Sequence, residues 1–142
     1  MIIVPVDGSS QSLNALDFAI MMAVNYQDKL LLLNVQPKRE ANFSVEVTDD
    51  EQWGQQVKDN AKRQLEEAIA FVEGKVPYST KMRIGIPSIE ITTEAKETHA
   101  TSIVMGSRGN GPVVSAILGS VSYGVLHLSP CPVTVVPGQE KG

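Results

Sequence analysis

Glycines that follow a short apolar run late in the chain could hold a phosphate group. Residues 103–105 are typical of a strand buried on both faces of a parallel sheet, and Gly106, Gly109 and Gly111 follow them. Glycine accepts positive φ angles and has no Cβ, so such a loop can turn its backbone N–H groups toward an anion. The spacing predicts a phosphate-binding loop.

A second group of residues with the same chemistry follows this loop. Nine residues separate Gly109 from Gly119, and Ser120 and Ser122 come next. The segment suits the first turn of a helix, where unpaired N–H groups and the positive end of the helix dipole attract anions. Taken singly, these residues are more typical of turns and helix caps. Together, the spacing Gly106-x2-Gly109-x9-Gly119-Ser120 favours one ligand held by both loop and helix.

Two better-known phosphate motifs do not occur in the sequence. There is no Gly-x4-Gly-Lys-[Ser/Thr], so the lysine that reaches the β and γ phosphates in P-loop enzymes is missing. The dinucleotide fingerprint Gly-x-Gly-x-x-Gly is not matched either, because the order is Gly106-x2-Gly109-x-Gly111 and lies late in the chain. P-loop catalysis and a nicotinamide cofactor are therefore disfavoured.

Composition and charge limit the classes of function. The chain has 142 residues, 42% of them apolar, which fits one domain over residues 1–137 with a disordered tail at 138–142. Its net charge of -4 provides no basic field for nucleic acid. The apolar runs are too short to span a membrane and the first residues lack a basic leader, so we expect a cytoplasmic protein with no membrane partner.

Other reactive side chains fit structural roles better. Cys131 is the only cysteine, so no internal disulfide can form, and no activating base neighbours it in the sequence. His99 and His127 lie far apart, with no cysteine or carboxylate at ligand spacing, so we expect no metal site formed by the protein alone. Trp53 is in register with an apolar helical stripe, which favours packing over base stacking. No catalytic residue is predicted.

Apolar periodicity predicts strands that alternate with helices. The strands are expected at 2–6, 29–35, 78–84, 101–105 and 133–136. The first helix is expected to run from the turn at 7–10, which offers several capping residues, to about 25–27, and the second from the capping box at 48–51 to residue 74. The last two helices are expected at 87–99 and 120–128. A long loop at 37–47 and a capping box at 48–51 precede the second helix. In the third helix, the apolar face is expected at Ile89, Thr93 and Ala95. This alternation predicts an α/β, doubly wound five-stranded parallel sheet in the order 3-2-1-4-5, with helices on both faces.

The crevice of such a sheet lies beyond the carboxyl ends of the strands, where the winding reverses direction. The first and fourth strands are neighbours in this order, so Asp7 and Gly106 are expected to face each other there. Asp7 could accept a hydrogen bond from a ribose hydroxyl or help to hold a magnesium ion bound to phosphates. The alternative role, a turn former or helix cap, is equally compatible with the sequence.

Several of these segments resemble landmarks of the universal stress protein family, in the branch that binds ATP. They are Ile-Val-Pro-Val-Asp-Gly-Ser at 3–9, Ile-Val-Met-Gly-Ser-Arg-Gly at 103–109, Leu-Gly-Ser-Val-Ser at 118–122 and Ser-Pro-Cys-Pro-Val at 129–133. The resemblance covers nearly the whole chain and departs from the common pattern at Thr101 and Ser102. It implies an adenine nucleotide alpha hydrolase-like fold that binds ATP, AMP or ADP, with magnesium held through the phosphates. It also implies a homodimer through the last strand, formed by Val133, Thr134, Val135 and Val136.

Carried over by position, the resemblance assigns each part of the nucleotide to particular residues. The adenosine side is lined by Pro5, Val6 and Asp7, with Asn34 or Val35 near adenine and Met105 supporting the base. The ribose and phosphates are contacted by Gly106, Arg108 and Gly109. The phosphate chain is bound by Gly119, Ser120, Val121 and Ser122. Hydrolysis would also need a positioned water or base and charge stabilisation, for which only Arg108 and Asp7 are evident. We therefore expect a nucleotide-binding stress or signalling module with an unknown protein partner. The alternatives are a slow ATPase and an interaction module with a vestigial pocket.

Overall fold

Strands and helices alternate along the chain in the order that the sequence predicts. A computed structural model describes residues 1–38, 50–107 and 118–138. In these residues the elements are β1 (Ile2–Pro5), α1 (Ser10–Tyr26), β2 (Leu30–Gln36), α2 (Asp50–Val72), β3 (Tyr78–Ile84), α3 (Pro87–Thr98), β4 (Ser102–Gly106), α4 (Ser120–Leu128) and β5 (Val133–Val136). Helix α1 begins within the predicted turn at 7–10, where Ser9 caps it: the Ser12 N–H donates to the Ser9 Oγ at 3.2 Å. Most of the predicted 37–47 loop, the capping residue Thr48 and the tail at 139–142 lie outside the described residues.

The sheet has parallel strands in the order β3-β2-β1-β4-β5, which confirms the predicted doubly wound topology. Strand β1 lies at its centre, where Ile3 pairs with Leu31 of β2 on one side and Ile103 of β4 on the other. Because all strands run the same way, the carboxyl ends of β1, β2 and β4 lie side by side. That edge of the sheet positions the candidate site.

The two faces of the sheet carry separate apolar clusters. Successive side chains of a strand point to opposite faces, so strands covered on both sides need apolar residues at every position. Helices α1 and α2 cover the face formed by Ile2, Val4, Leu30, Leu32 and Val104. Helices α3 and α4 cover the face formed by Ile3, Leu31, Leu33, Ile103 and Met105. This double covering explains the uninterrupted apolar runs in the sequence.

Helix α2 is amphipathic along its length. Its buried stripe consists of Val57, Ala61, Leu65, Ala68 and Val72. The other positions are polar enough that this stripe, rather than overall hydropathy, holds the helix against the sheet. Within the described ranges, no helix is both long and apolar enough to cross a membrane.

The predicted apolar face of α3 is wrong at one end. The helix buries Ile91, Thr92 and Ala95 together with the carboxylate of Glu94, whereas Ile89 is 44% exposed. Apolar periodicity fails here because a charged residue occupies the inner face. A buried carboxylate is tolerated only when cations compensate for the loss of its hydration.

The compensating cations of Glu94 come from the edge strand β3. The Lys81 Nζ lies 2.9 Å from the Glu94 Oε1, and the Arg83 Nη1 donates to the Glu94 Oε2 at 2.6 Å. Arg83 also donates to Glu90 at 2.9 Å and to Glu97 at 3.3 Å. Burial alone would raise the pKa of Glu94, but the hydrogen bonds and charges of Lys81 and Arg83 outweigh it and hold that pKa below its usual value. The cluster therefore ties β3 to α3.

We predict that Glu94→Gln lowers the free energy of unfolding at neutral pH by about 1–3 kcal/mol, because it removes charge-assisted hydrogen bonds from a buried position. The depressed pKa contributes stability in full above the ordinary value of 4.5, and this contribution is lost as the pH falls through the lower pKa of the folded state. Urea unfolding at about pH 7 and about pH 3 should therefore show a difference between wild type and variant that shrinks in acid.

Glu97→Gln is the matched control for this prediction. Its side chain is 59% exposed and meets the same Arg83 Nη1, so the change should cost about 0–1 kcal/mol. An equal loss in both variants, or a Glu94→Gln effect that does not depend on pH, would contradict the assignment of an ionised buried Glu94.

Candidate functional site

A pocket opens at the carboxyl ends of β1, β2 and β4. It has a volume of about 110 Å³. The described residues that line it are Pro5, Val6, Asp7, Ser12, Leu33, Val35, Pro87, Ile91, Met105, Gly106, Val121 and Ser122. It lies where the winding of the sheet reverses, between β1 and β4, which is the position at which doubly wound sheets bind ligands.

One wall of the pocket is apolar. Leu33 and Val35 of β2 and Met105 of β4 point to the face of the sheet covered by α3 and α4. Ile91 of α3 and Val121 of α4 complete this wall. Such a surface suits a flat, weakly polar group, since apolar contact supplies binding energy while the few polar groups fix orientation.

Asp7 provides a carboxylate on the pocket wall. Its Oδ1 accepts hydrogen bonds from the backbone N–H of Ser9, at 2.9 Å, and from the Ser9 hydroxyl. Ser9 in turn caps α1. Asp7 is therefore a turn former that orders the connection between β1 and α1, and the same side chain also lines the pocket.

The start of α4 is fixed against the end of β4. The Ser122 hydroxyl donates to the carbonyl oxygen of Gly106 at 2.8 Å, and the Gly119 N–H donates to that of Ser107 at 2.8 Å. The helix begins at Ser120, and its first-turn residues Val121 and Ser122 line the pocket. The N–H groups of a first helical turn have no partners within the helix and carry partial positive charge, so this end of the pocket favours an anion.

Gly106 is required by a close approach between β4 and α1. A Cβ at this position would lie 3.0 Å from the carbonyl oxygen of Gln11 and 3.1 Å from its carbonyl carbon. The backbone of α1 cannot move away cheaply, because it packs on the sheet through Ala15 and Leu16. Packing therefore explains this glycine without reference to a ligand.

The structure brings most of the predicted site residues together. Those on the pocket wall are Pro5, Val6, Asp7, Val35, Met105, Gly106, Val121 and Ser122. Gly119 and Ser120 lie at the adjoining start of α4. The side chain of Asn34 is not part of the pocket, because alternation along β2 directs it to the opposite face. Arg108 and Gly109 lie outside the described residues.

Sequence reasoning missed part of the lining. Ser12, Leu33, Pro87 and Ile91 contribute to the pocket but were not predicted. Leu33 is two residues before Val35 and so shares its face of the strand, and Pro87 and Ile91 are spaced to share one face of α3. These spacings could have indicated Leu33, Pro87 and Ile91, whereas no pattern in the sequence indicated Ser12.

Among the described residues, no group of three or more His, Cys, Asp or Glu side chains could hold a metal ion. His99 ends α3 with a φ of 50°, and the His127 ring stacks on Tyr123 with centroids 6.2 Å apart.

Comparison with known proteins points to one family. The model of the universal stress protein family matches residues 1–137. The chain belongs to this family. Universal stress protein YxiE of Bacillus subtilis is 34% identical to it, over 94% of this chain and 96% of the relative. Sll1654 of Synechocystis is also 34% identical, over 96% of this chain and 84% of the relative.

Solved structures agree with this assignment. UspA from Lactobacillus plantarum superimposes on this universal stress protein with a TM-score of 0.79 and 28% identity, over 95% of each chain. Two proteins with lower identity share the fold. A universal stress protein in complex with cAMP is 23% identical and superimposes with a TM-score of 0.67, over 96% of this chain and 94% of the other. A universal stress protein from Archaeoglobus fulgidus in complex with dAMP is 22% identical and superimposes with a TM-score of 0.70, over 94% of each chain. The fold is the adenine nucleotide alpha hydrolase-like fold.

We predict that Gly106→Ala destabilises this universal stress protein by about 1–3 kcal/mol, because its Cβ overlaps the backbone of α1. Gly54→Ala is the matched control: a Cβ there meets nothing within 4 Å, so the helix-forming preference of alanine should stabilise α2 by roughly 0.5–1 kcal/mol. Urea unfolding of both variants measures the difference. Equal stability of Gly106→Ala and wild type would contradict the close approach.

Proposed function

We propose that this universal stress protein binds an adenine nucleotide in the pocket at the carboxyl ends of β1 and β4. The observation that carries the proposal is the convergence of an apolar wall, a carboxylate and a helix N-terminus on one pocket. A nucleotide needs these surfaces in this combination, since its base is flat and weakly polar, its ribose donates hydrogen bonds and its phosphates are anionic.

The residues of the pocket fit the parts of the nucleotide in one order. Val35 and Met105 supply the apolar surface for the base. Asp7 lines the same pocket, and its carboxylate is the proposed acceptor for a ribose hydroxyl or ligand for a magnesium ion bound to the phosphates. Val121 and Ser122 provide the helix N-terminus for the phosphate chain.

Adenine is the preferred base for two reasons. Two proteins of the same fold were solved in complex with cAMP and with dAMP, which share adenine. The spacing of Gly109, Gly119 and Ser120 resembles that of the ATP-binding branch of the family, so ATP is the proposed ligand, with AMP and ADP as alternatives. The predicted contacts of Arg108 and Gly109 with ribose and phosphates are part of this proposal.

We propose binding rather than efficient catalysis. Hydrolysis needs a positioned water or base and stabilisation of the charge at the γ phosphate. Asp7 is the one described carboxylate on the pocket wall, and its Oδ1 already accepts from Ser9. The protein then acts in the cytoplasm as a stress or signalling module, in which nucleotide occupancy changes the contacts with a second copy or a protein partner.

Strand β5 is the proposed dimer contact. It lies at one edge of the described sheet. The carbonyl oxygens of Pro132 and Val136 accept from Ile103 and Ser107 on the β4 side. Because backbone groups alternate along a strand, those of Val133 and Val135 point away from β4 and are available to a second copy. Pairing of identical strands about a two-fold axis would give a closed dimer.

We predict that the wild type binds ATP and that Val35→Phe weakens this binding at least about tenfold, because the larger side chain fills space needed by the base. Val24→Phe makes the same substitution on α1, at a position 58% exposed and away from the pocket, and should bind as the wild type does. Gly109→Val tests the loop in the same series.

The measurement combines two steps. Denatured protein is chromatographed for co-purified nucleotide, and the stripped protein is then titrated calorimetrically with ATP and AMP in the presence of magnesium. Failure of the wild type to bind any adenine nucleotide would overturn the proposal and favour a vestigial pocket. Conversion of bound ATP over hours would identify the slow ATPase instead.

We predict that Val135→Pro weakens the dimer at least about tenfold, because it removes an N–H that points away from β4 on each of the two symmetric strands. Val135→Thr keeps the N–H and the β-branched shape and should dimerise as the wild type does. Analytical ultracentrifugation gives the dissociation constants, and circular dichroism checks the fold. A monomeric wild type, or a folded Val135→Pro protein that dimerises normally, would contradict the strand contact.

A further inference from the structure

A cluster of buried amides lies beneath the turn that follows β1. Asn34 has no exposed surface, and its side chain is on the face of the sheet opposite the pocket. Its Nδ2 donates to the Gln64 Oε1 of α2 at 2.8 Å. The Gln36 Nε2 donates to the Asn34 Oδ1 at 2.6 Å and to the Gln64 Oε1 at 3.1 Å. The three amides form one connected network in an otherwise apolar layer.

The network holds the backbone of Val6. The Asn34 Nδ2 donates to the carbonyl oxygen of Val6 at 2.8 Å, and the Val6 N–H donates to the carbonyl oxygen of Leu33 at 2.8 Å. Strand β2 thus fixes both backbone polar groups of Val6, one through its main chain and the other through a side chain. Val6 and Asp7 both line the pocket, so the position of that wall depends on Asn34.

Gln64 supports the next part of the same turn. Gly8 has a φ of +81°, and a Cβ there would lie 3.2 Å from the Gln64 Cγ. The turn therefore rests directly on α2, with Asp7 between the residue held by Asn34 and the residue that packs on Gln64. A displacement of either amide would reach Asp7 through a single peptide unit, from Val6 on one side or from Gly8 on the other.

We propose that Asn34 and Gln64 are positioning residues for the nucleotide. They do not touch the ligand and act through the turn formed by Val6, Asp7 and Gly8. This inference rests on the proposed function, and it changes the role of Asn34 from a residue near adenine to a support behind the adenosine wall. A fully connected buried network specifies one arrangement of the groups it joins, which an apolar replacement of equal volume would not.

The test compares the affinity for ATP with stability in a matched set of variants. Asn34→Leu keeps the approximate volume but removes the donor to Val6, and should weaken ATP binding about tenfold. Gln64→Met removes the acceptor and should weaken binding by a smaller factor. Gln64→Glu keeps oxygens that accept from Asn34 and Gln36 and should restore near-normal affinity. Val72→Ala truncates a fully buried residue of the same apolar layer and should lower the Tm without changing the Kd.

Hydrogen exchange in the ligand-free protein gives a second readout. The amides of residues 7–9 should exchange faster in Asn34→Leu than in wild type or Val72→Ala, since the turn loses its support. An unchanged Kd in Asn34→Leu, with or without faster exchange, would overturn this inference and leave the nucleotide site standing. Absence of ATP binding in the wild type would overturn the proposed function and this inference together. Equal loss of affinity in Gln64→Met and Gln64→Glu would remove Gln64 from the proposal.

Discussion

The central strand β1 is constrained on every side, and the rest of the structure depends on this. Its edges are paired with β2 and β4, and its faces are covered by two helical layers. A strand in this position has no room for polar side chains within its length, because each would need a partner in an apolar layer. The first carboxylate therefore appears at Asp7, just after the strand ends. The polar side chains therefore lie beyond the carboxyl end of the strand, and the pocket forms there.

Much of the fold could be predicted because its signals are local. Continuous apolar runs identified the buried strands, and the 3.6-residue period identified the helices. The face of α3 was misassigned because Glu94 belongs to the core only through Lys81 and Arg83, which lie on another element. A pattern of apolar residues contains no information about a charge that is neutralised from elsewhere in the fold.

The candidate site could be predicted where the spacing of residues along the chain determines it. It could not be predicted where the alternation of side chains along a strand, or a tertiary contact, determines which residues line the pocket. Asp7 comes just after β1 and Gly106 is the last residue of the neighbouring strand β4, so their placement at one pocket follows from strand order alone. Asn34 and Val35 are adjacent in sequence, and only the pleat of β2 separates the pocket side from the amide side. Gly106 and Ser122 also have structural reasons to be what they are, a close approach and a hydrogen bond, so their residue types do not by themselves indicate a ligand.

The ion cluster on β3 makes the two edges of the sheet chemically different. One outer strand presents Lys81 and Arg83, held by carboxylates of α3, and the other is a run of β-branched residues in β5. Cationic side chains on an edge strand discourage a further strand from adding there. In the proposed dimer, the β5 edge of each copy is occupied by its partner, while the β3 edge disfavours a further strand. Such a dimer could not extend into ribbons, so the salt bridges that hold α3 would also limit aggregation.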